Sequence, residues 1–433
     1  MAYGSKLNRR GFLKRSALIS LGSIAGGGFL RIPQSSAARV SINDKVRIGV
    51  IGTGGMGTRH IEALAINDQC SIAAVCDVFI PRYQNAQKKI EEISGKKVDG
   101  YQYFRQVLDR ADIDAVFVVT PDNWHPLLTI FGCQAGKDVY VEKPCSPTVV
   151  EGRAMVEAAR RYGRIVQLGT QQRSMPVFQE AIKVIHSGKL GKITTASAWL
   201  GVNGIGVGET PAPVPEGLDW DMWLGPAPWV PYSPQRHYGF MGWHDYCRGG
   251  GLSNWGVHLM DIVHWGIGKD RPLSVQAVGG SYRAGAGADD YECIDVLYEY
   301  EGCTVTWEQR HWNAHANKGL GVKFQGTEGQ LFVDRATFVV KPNSLGIPEY
   351  IGEPERSWAN PPHHNNFFNS VRTRERPVAE IEQGHRSTIP IAIAGIALKE
   401  KRKLNWDADA ERFIDDEQAN RHLSRAYRAP WHL

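Results

Sequence analysis

Gly52-Thr-Gly54-Gly55-Met56-Gly57 follows the apolar run Val46 to Ile51, and a helical pattern continues beyond it through Asn67. A helix that begins in such a turn presents free N–H groups and the positive end of its dipole to an anion. In this spacing Gly52 permits the tight turn, Gly54 leaves room for a pyrophosphate to approach the backbone, and Gly57 lets the helix lie close to the strand. About 20 residues beyond the last glycine, the run Cys70 to Cys76 ends in Asp77, where a carboxylate can accept hydrogen bonds from adenosine ribose hydroxyls. Asp77 repels a 2′-phosphate, and the next residues, Val78-Phe79-Ile80, offer no adjacent arginine, although Arg82 is not far. The pattern therefore predicts a dinucleotide site that favours NAD over NADP.

The elements that must position this site alternate. Strands are predicted at Ala115 to Thr120 and Asp138 to Pro144, and helices near Tyr103 to Asp109 and from Pro126 through Ala135. Such alternation implies a parallel, doubly wound sheet, whose ligand crevice lies beyond the carboxyl ends of its strands. Thr120-Pro121-Asp122-Asn123-Trp124-His125 and Glu142-Lys143-Pro144 fall at those ends. Thr120, Pro121, Asn123, His125, Glu142 and Lys143 are accordingly expected to meet the cofactor. Beyond residue 190 the character changes, and five apolar runs follow in succession without the regular strand–helix alternation of a parallel sheet: Thr194 to Leu200, Leu273 to Gly280, Cys293 to Tyr300, Cys303 to His311 and Gly329 to Asp334. Their succession does not fit the helix-linked parallel sheet of the first part. The expected organisation is a leader at 1–38, a Rossmann domain at 45–165 and an α+β domain at 166–433, with helices after Asn365, the last of which returns to the first domain.

A second chemical cluster lies in Gly249 to Trp265, where Asn254, His258 and Asp261 at i, i+4 and i+7 share one helix face. Read alone, His258 is as well explained as a satisfied structural histidine. His258, Asp261 and His264 spread over about a third of the helix circumference, too wide for a metal site, so none is predicted.

Taken in order, Gly49 to Gly57, Thr120 to His125, Val141 to Pro144 and Gly249 to Trp265 resemble the glucose-fructose oxidoreductase / inositol 2-dehydrogenase / MocA family, from about Lys45 to the C-terminus. The segment Leu218 to Tyr232 and the closing Arg428 to Trp431 are similar to a secreted bacterial branch of it. The resemblance implies a second, α+β domain on an open, mostly antiparallel sheet whose face covers the nicotinamide and forms a sugar pocket. It implies that Lys143 is the catalytic lysine, acting as base or as an ammonium on the substrate oxygen, and that His258 is the active-site proton relay. Asn254 stands where inositol-dehydrogenase-like members carry an aspartate. An amide cannot accept a proton, so Asn254 is expected to orient a hydroxyl or His258. Arg173, His244, Asp245, Tyr246, Arg248 and Asp261 are candidate sugar-pocket residues. Trp124, Trp199, Trp243 and Trp255 could stack on pyranose faces, although tryptophan is more often core.

Asn8-Arg9-Arg10-Gly-Phe-Leu-Lys14, an uncharged run from Ser16 to Leu30, and Ser36-Ala37-Ala38 resemble a twin-arginine signal cleaved after Ala38. The uncharged run falls short of the roughly 20 residues that span a bilayer. A periplasmic or secreted location and a partnership with the twin-arginine export machinery are therefore expected. The net charge of +5 is small for 433 residues and excludes a nucleic-acid footprint. Seven cysteines without a C-x-x-C signal neither a zinc site nor a disulfide framework. A homo-oligomer is compatible with the sequence but is not specified by it.

Three functions remain open at this level. One is oxidation of a sugar alcohol with a cofactor that is held and recycled. Another is net glycoside hydrolysis through transient oxidation, and the third is sugar binding without catalysis.

Overall fold

The computed structural model describes residues 40–41, 44–201, 208–248, 250–282, 289, 291–311, 318–352 and 361–433. The expected leader lies outside these residues. Six strands, β1 (Val46–Ile51), β2 (Cys70–Cys76), β3 (Asp99–Tyr101), β4 (Ala115–Val118), β5 (Asp138–Val141) and β6 (Val166–Leu168), form an all-parallel sheet in the order β3-β2-β1-β4-β5-β6. Val46, Ile48, Val50, Val116 and Val139 have no exposed surface, as a sheet covered on both faces requires. The covering helices are α1 (Gly55–Ala65), α2 (Ile80–Ser94), α3 (Phe104–Leu108), α4 (His125–Gln134) and α5 (Val149–Tyr162). Thr148 caps α5 by accepting from the Glu151 N–H, and its hydroxyl donates to the Glu151 carboxylate, so the turn is tied at both ends. The strand order reverses between β1 and β4, which opens a crevice at their carboxyl ends.

The expected division at 165/166 falls just before β6. β6 pairs in parallel with β5, so the first sheet extends to Leu168. A three-residue strand is too short to show a period, which is why the sequence pattern passed over it.

The second sheet has ten strands in the order β14-β13-β12-β11-β7-β10-β9-β8-β15-β16. Its central members are β7 (Ile193–Gly201), β8 (Pro272–Gly280), β9 (Cys293–Tyr300), β10 (Cys303–Arg310) and β11 (Leu320–Gly326). Next to β11 lie β12 (Gln330–Val333), β13 (Thr337–Lys341) and β14 (Tyr350–Ile351), and next to β8 lie β15 (Leu404–Asp407) and β16 (Arg412–Phe413). All pairings are antiparallel except β7 with β10. Along β9, Ile294, Val296, Tyr298 and Tyr300 are buried while Asp295, Leu297 and Glu299 are not, the alternation of a half-covered sheet.

Further along the chain come α6 (Pro176–His186), the short α7 (Trp220–Leu224) and α8 (Pro234–Tyr238), and α9 (Gly250–Ile267), which packs on β7. Two further helices, α10 (Pro361–Thr373) and α11 (Ile381–Glu400), follow. α11 packs on α5 and β6 of the first sheet and also on α9 and β8 of the second, so it fastens the two halves together. The segment around α7 and α8 has an aromatic core of its own, with Trp220, Trp223, Tyr232, Trp243 and Tyr246. All seven cysteines are free. Among the described residues no group of ligating side chains could hold a metal, and no helix is long and apolar enough to cross a membrane.

Candidate functional site

The crevice at the β1/β4 switch point is a cleft of about 680 Å³ with walls from both halves of the chain. Gly52 opens it with φ of +94°, and a Cβ there would lie 2.3 Å from the Val119 carbonyl oxygen. A Cβ on Gly57 would lie 2.1 Å from the Gly52 carbonyl oxygen, so α1 can begin directly on the turn only with glycine at both places. Gly55, by contrast, faces open space, and a Cβ on Gly54 would meet only the Arg82 guanidinium. α1 starts with no side-chain cap, and Met56 lines the cleft beside the glycines. Its first N–H groups and positive dipole end are therefore free for an anion.

Asp77, at the end of β2, accepts hydrogen bonds from the Thr53 N–H (2.8 Å) and the Phe79 N–H (3.0 Å). Burial raises its pKa, and the Arg82 guanidinium opposes that rise. Open space over Gly55, only the Arg82 guanidinium over Gly54, an uncapped helix and a buried carboxylate together fit a dinucleotide. Arg82 alters the expectation drawn from the residues next to Asp77, because α2 turns it back into the cleft.

Lys143 leaves the end of β5, and its ammonium donates to the Asn254 carbonyl oxygen (3.0 Å) and Oδ1 (2.6 Å). Asn254, expected to orient a hydroxyl or His258, thus orients Lys143. His258, one turn further along α9, lines the same cleft and is 3% exposed. Its Nδ1 has no hydrogen-bond partner. Burial, reinforced by the positive charges of Lys143 and Arg335, pushes its pKa well below the usual histidine range, so the ring is neutral. Beneath Lys143, Glu142 would be raised by burial, but a 2.9 Å hydrogen bond from His60 and the nearby positive charges hold it below the ordinary carboxylate value. His60 in turn meets His364 of α10 at 2.9 Å.

Thr120, Pro121 and His125 also line the cleft. The His125 ring bridges the carbonyl oxygens of Pro144 (2.8 Å) and Thr120 (3.0 Å), which ties the two strand-end loops together. Asn123 does not reach the cleft wall. It is fully buried and donates to the Leu224 carbonyl oxygen, so it anchors α7 instead. Trp124 lines the cleft, but its indole N–H donates to the Met222 and Trp223 carbonyl oxygens and its ring packs on Trp431, which leaves it no free face for a sugar.

The expected polar sugar contacts stand outside the cleft. Arg173 and Asp261 form a buried bidentate pair (2.7 and 2.8 Å), with the Ser387 hydroxyl donating to the same carboxylate. Tyr246 is buried against Trp223 in the aromatic core, because that core needed another ring. Arg248 donates to the His422 carbonyl oxygen and fastens the C-terminal segment. His244 is exposed, its N–H bonded to Asp289, and the Asp245 carboxylate faces Arg236. Trp199 stacks on Phe332, Trp243 lies under Arg236, and of the four tryptophans only Trp124 and Trp255 border the cleft.

Several cleft residues escaped the sequence reading. Asp122 sits inside the Thr120 to His125 loop, nearly buried, and its carboxyl is raised by burial. Its position in the motif was a signal that could have found it. Met222, His237 and Tyr238 had no local signal, because they reach the cofactor end of the cleft only through the fold of a distant segment.

Comparison with known proteins agrees with this geometry. Residues 46–170 match the family model described as "Oxidoreductase family, NAD-binding Rossmann fold", and residues 177–433 match "Oxidoreductase family, C-terminal alpha/beta domain". One relative, the scyllo-inositol 2-dehydrogenase (NAD(+)) of Bacillus subtilis, is 32% identical over 148 residues, 34% of this chain and 42% of its own length. A glycosyl hydrolase family 109 protein of Shewanella pealeana is 31% identical over 172 residues, 36% of this chain and 38% of its own. The chain thus aligns with less than half the length of either. The solved WlbA dehydrogenase from Bordetella pertussis, in complex with NADH and UDP-GlcNAcA, shares the fold with a TM-score of 0.63 at 18% identity, covering 84% of this chain and 99% of that one. With both halves matched in order and a nucleotide cleft between them, this chain belongs to the Gfo/Idh/MocA oxidoreductase family and carries its NAD-binding Rossmann domain.

Proposed function

We propose that the enzyme oxidises a CH–OH group of a sugar or sugar derivative with an NAD that it holds and recycles in place. The observation that carries this reading is the pairing of Lys143, fixed by two hydrogen bonds to Asn254, with a neutral, unpartnered His258 in the same cleft wall. An ammonium has three donors, and two of them go to Asn254. The third is free to grip a substrate oxygen. The neutral imidazole is free to take the hydroxyl proton, while Glu142 below keeps a negative charge near the lysine. When bound, the nicotinamide supplies the hydride acceptor. The wall that receives the substrate includes Trp255, whose ring lies 6.0 Å from that of His258.

Retention follows from export. Outside the cytoplasm free NAD is scarce, so an enzyme sent there through the twin-arginine route works only if it leaves already loaded and regenerates its cofactor within the site. A second reading, redox-neutral glycoside hydrolysis, is favoured by the stretch shared with the family 109 glycosyl hydrolase. In both readings the protein, purified and desalted, carries nucleotide and turns over without added NAD. Paired sugar oxidation and reduction yields an acid or ketone together with an alditol, whereas hydrolysis yields free sugar and aglycone. Protein that is empty, works only with added NAD and releases NADH in step with product would refute the held cofactor. Fractionation of expressing cells for a processed periplasmic form tests the location.

A further inference from the structure

The segment that carries α7 and α8 crosses from the second half of the chain onto the ribose corner of the first. Ile80 donates to the Gly217 carbonyl oxygen (3.0 Å), Asp219 donates to that of Val78 (3.0 Å), and Phe79 bridges Leu218. Asn123 and Trp124 bind its α7 carbonyls from the other loop, and Arg428 donates to Gly225 and Ala227 from the C-terminal segment. With its own aromatic core, this is a fixed strap and not a loose loop. Its far end brings His237 and Tyr238 into the same cleft as Gly54 and Asp77.

Arg82 waits there. Its guanidinium lies near two rings, 5.9 Å from the centroid of Phe79 and 5.7 Å from that of Tyr238. One of its nitrogens lies 3.5 Å from where a Gly54 Cβ would be, above the place where the glycine turn admits a pyrophosphate. Its backbone N–H donates to the Phe79 carbonyl oxygen, but among the described residues its guanidinium has no hydrogen-bond partner, and Asp77 acts on it through charge. A guanidinium is planar by resonance and carries its N–H donors in that plane, so neighbouring rings that restrict its orientation present a fixed fork able to grip phosphate oxygens in pairs. His237 next to it is pushed down to about 4 by burial, so it stays neutral and leaves Arg82 as the cation facing the turn from the strap side.

We infer that Arg82 and Tyr238 form a latch, in which the strap holds the arginine over the glycine turn and the arginine holds the pyrophosphate of the dinucleotide against dissociation. The inference deepens the held-cofactor reading and rests on it. Contacts of this kind act chiefly on the dissociation rate.

The test uses the full-length protein and NADH itself, with release followed by loss of protein-bound fluorescence on dilution into excess NAD. Release from the unaltered protein is expected to be slow. Arg82→Ala should speed it about ten- to hundredfold, the loss of one charge-assisted contact. Tyr238→Ala should speed it severalfold through loss of confinement, and Tyr238→Phe should match the unaltered protein because the ring remains. Tyr238 is largely exposed, so its variants fold whether or not Arg82→Ala does. Slow release that none of these variants changes overturns the latch and leaves the held cofactor standing. If Arg82→Ala weakens NADPH binding alone, Arg82 serves a 2′-phosphate and the latch is overturned. Release within milliseconds from the unaltered protein refutes the held cofactor, and the latch with it.

Discussion

Asp261 offers a direct choice between a sugar contact and a structural ion, and the structure sets the size of the effect. Its carboxylate is 1% exposed and pairs with an Arg173 side chain that is 6% exposed. Two hydrogen bonds of 2.7 and 2.8 Å join them, and the Ser387 hydroxyl adds a third at 2.7 Å. Asp261→Leu strands a buried guanidinium, for which breaking one side of a buried pair costs about 3–5 kcal/mol. The stacking of Arg173 on Trp265, 5.0 Å to the centroid, survives and keeps the loss from growing further. At roughly 2 °C per kcal/mol, near the low end for large domains, the unfolding midpoint should fall by about 6–10 °C. Replacing both partners by leucine removes the stranded charge as well, so the double variant should recover most of that fall. Differential scanning calorimetry reads the midpoint, and titration with NADH at low temperature checks that nucleotide binding persists. A single variant that keeps its midpoint but loses turnover would refute the structural assignment, and so would a double variant no more stable than the single one.

Lys143→Ala and His258→Ala should each lower turnover by about 10²- to 10⁴-fold with NADH binding retained, as proton-transfer and oxygen-gripping groups do, and steady-state rates beside binding titrations check this. Asp77→Ala should narrow the preference for NAD over NADP, read from the ratio of the two dissociation constants, because the carboxylate that repels a 2′-phosphate is gone. His363 is fully buried and pushed down to about 4 by that burial. Between pH 6.5 and 4 the unfolded chain binds a proton at this residue that the folded chain does not, so its contribution is complete above about 6.5 and fades as pH falls. The loss approaches about 3 kcal/mol. His363→Gln should flatten the dependence of the midpoint on pH over that window, and an unchanged slope would refute the assignment.

The cofactor half of the site was legible because its constraints are local. Gly52 is marked by the positive φ of its turn and Gly57 by its contact with the Gly52 carbonyl, and Asp77, Thr120 and Lys143 are reached by counting from strand ends. The first sheet was legible for the same reason, since runs such as Val46 to Ile51 and Val116 to Val118 are buried on both faces and read as unbroken apolar stretches. β6 was not, being shorter than any period.

The polar residues drawn from beyond β6 fared differently. Residue type alone cannot separate an arginine that meets a sugar from one that neutralises a buried carboxylate, and Arg173 with Asp261 turned out to be the second case. Tyr246 and Arg248 were claimed by an aromatic core and by the C-terminal segment, partners tens to hundreds of residues away along the chain. Asn254 took Lys143 as its partner because the two halves fold against each other, 111 residues apart in the chain. The sequence by itself therefore determined the nucleotide turn and the parallel sheet behind it, which follow from periodicity and near-neighbour geometry, while Lys143 and His258 were singled out only by the resemblance of their motifs to a family. Only the tertiary structure decided which polar side chains face the cleft and which neutralise one another in the core, because that choice depends on how two separately folded sheets, a strap and a terminal helix exclude water from between them.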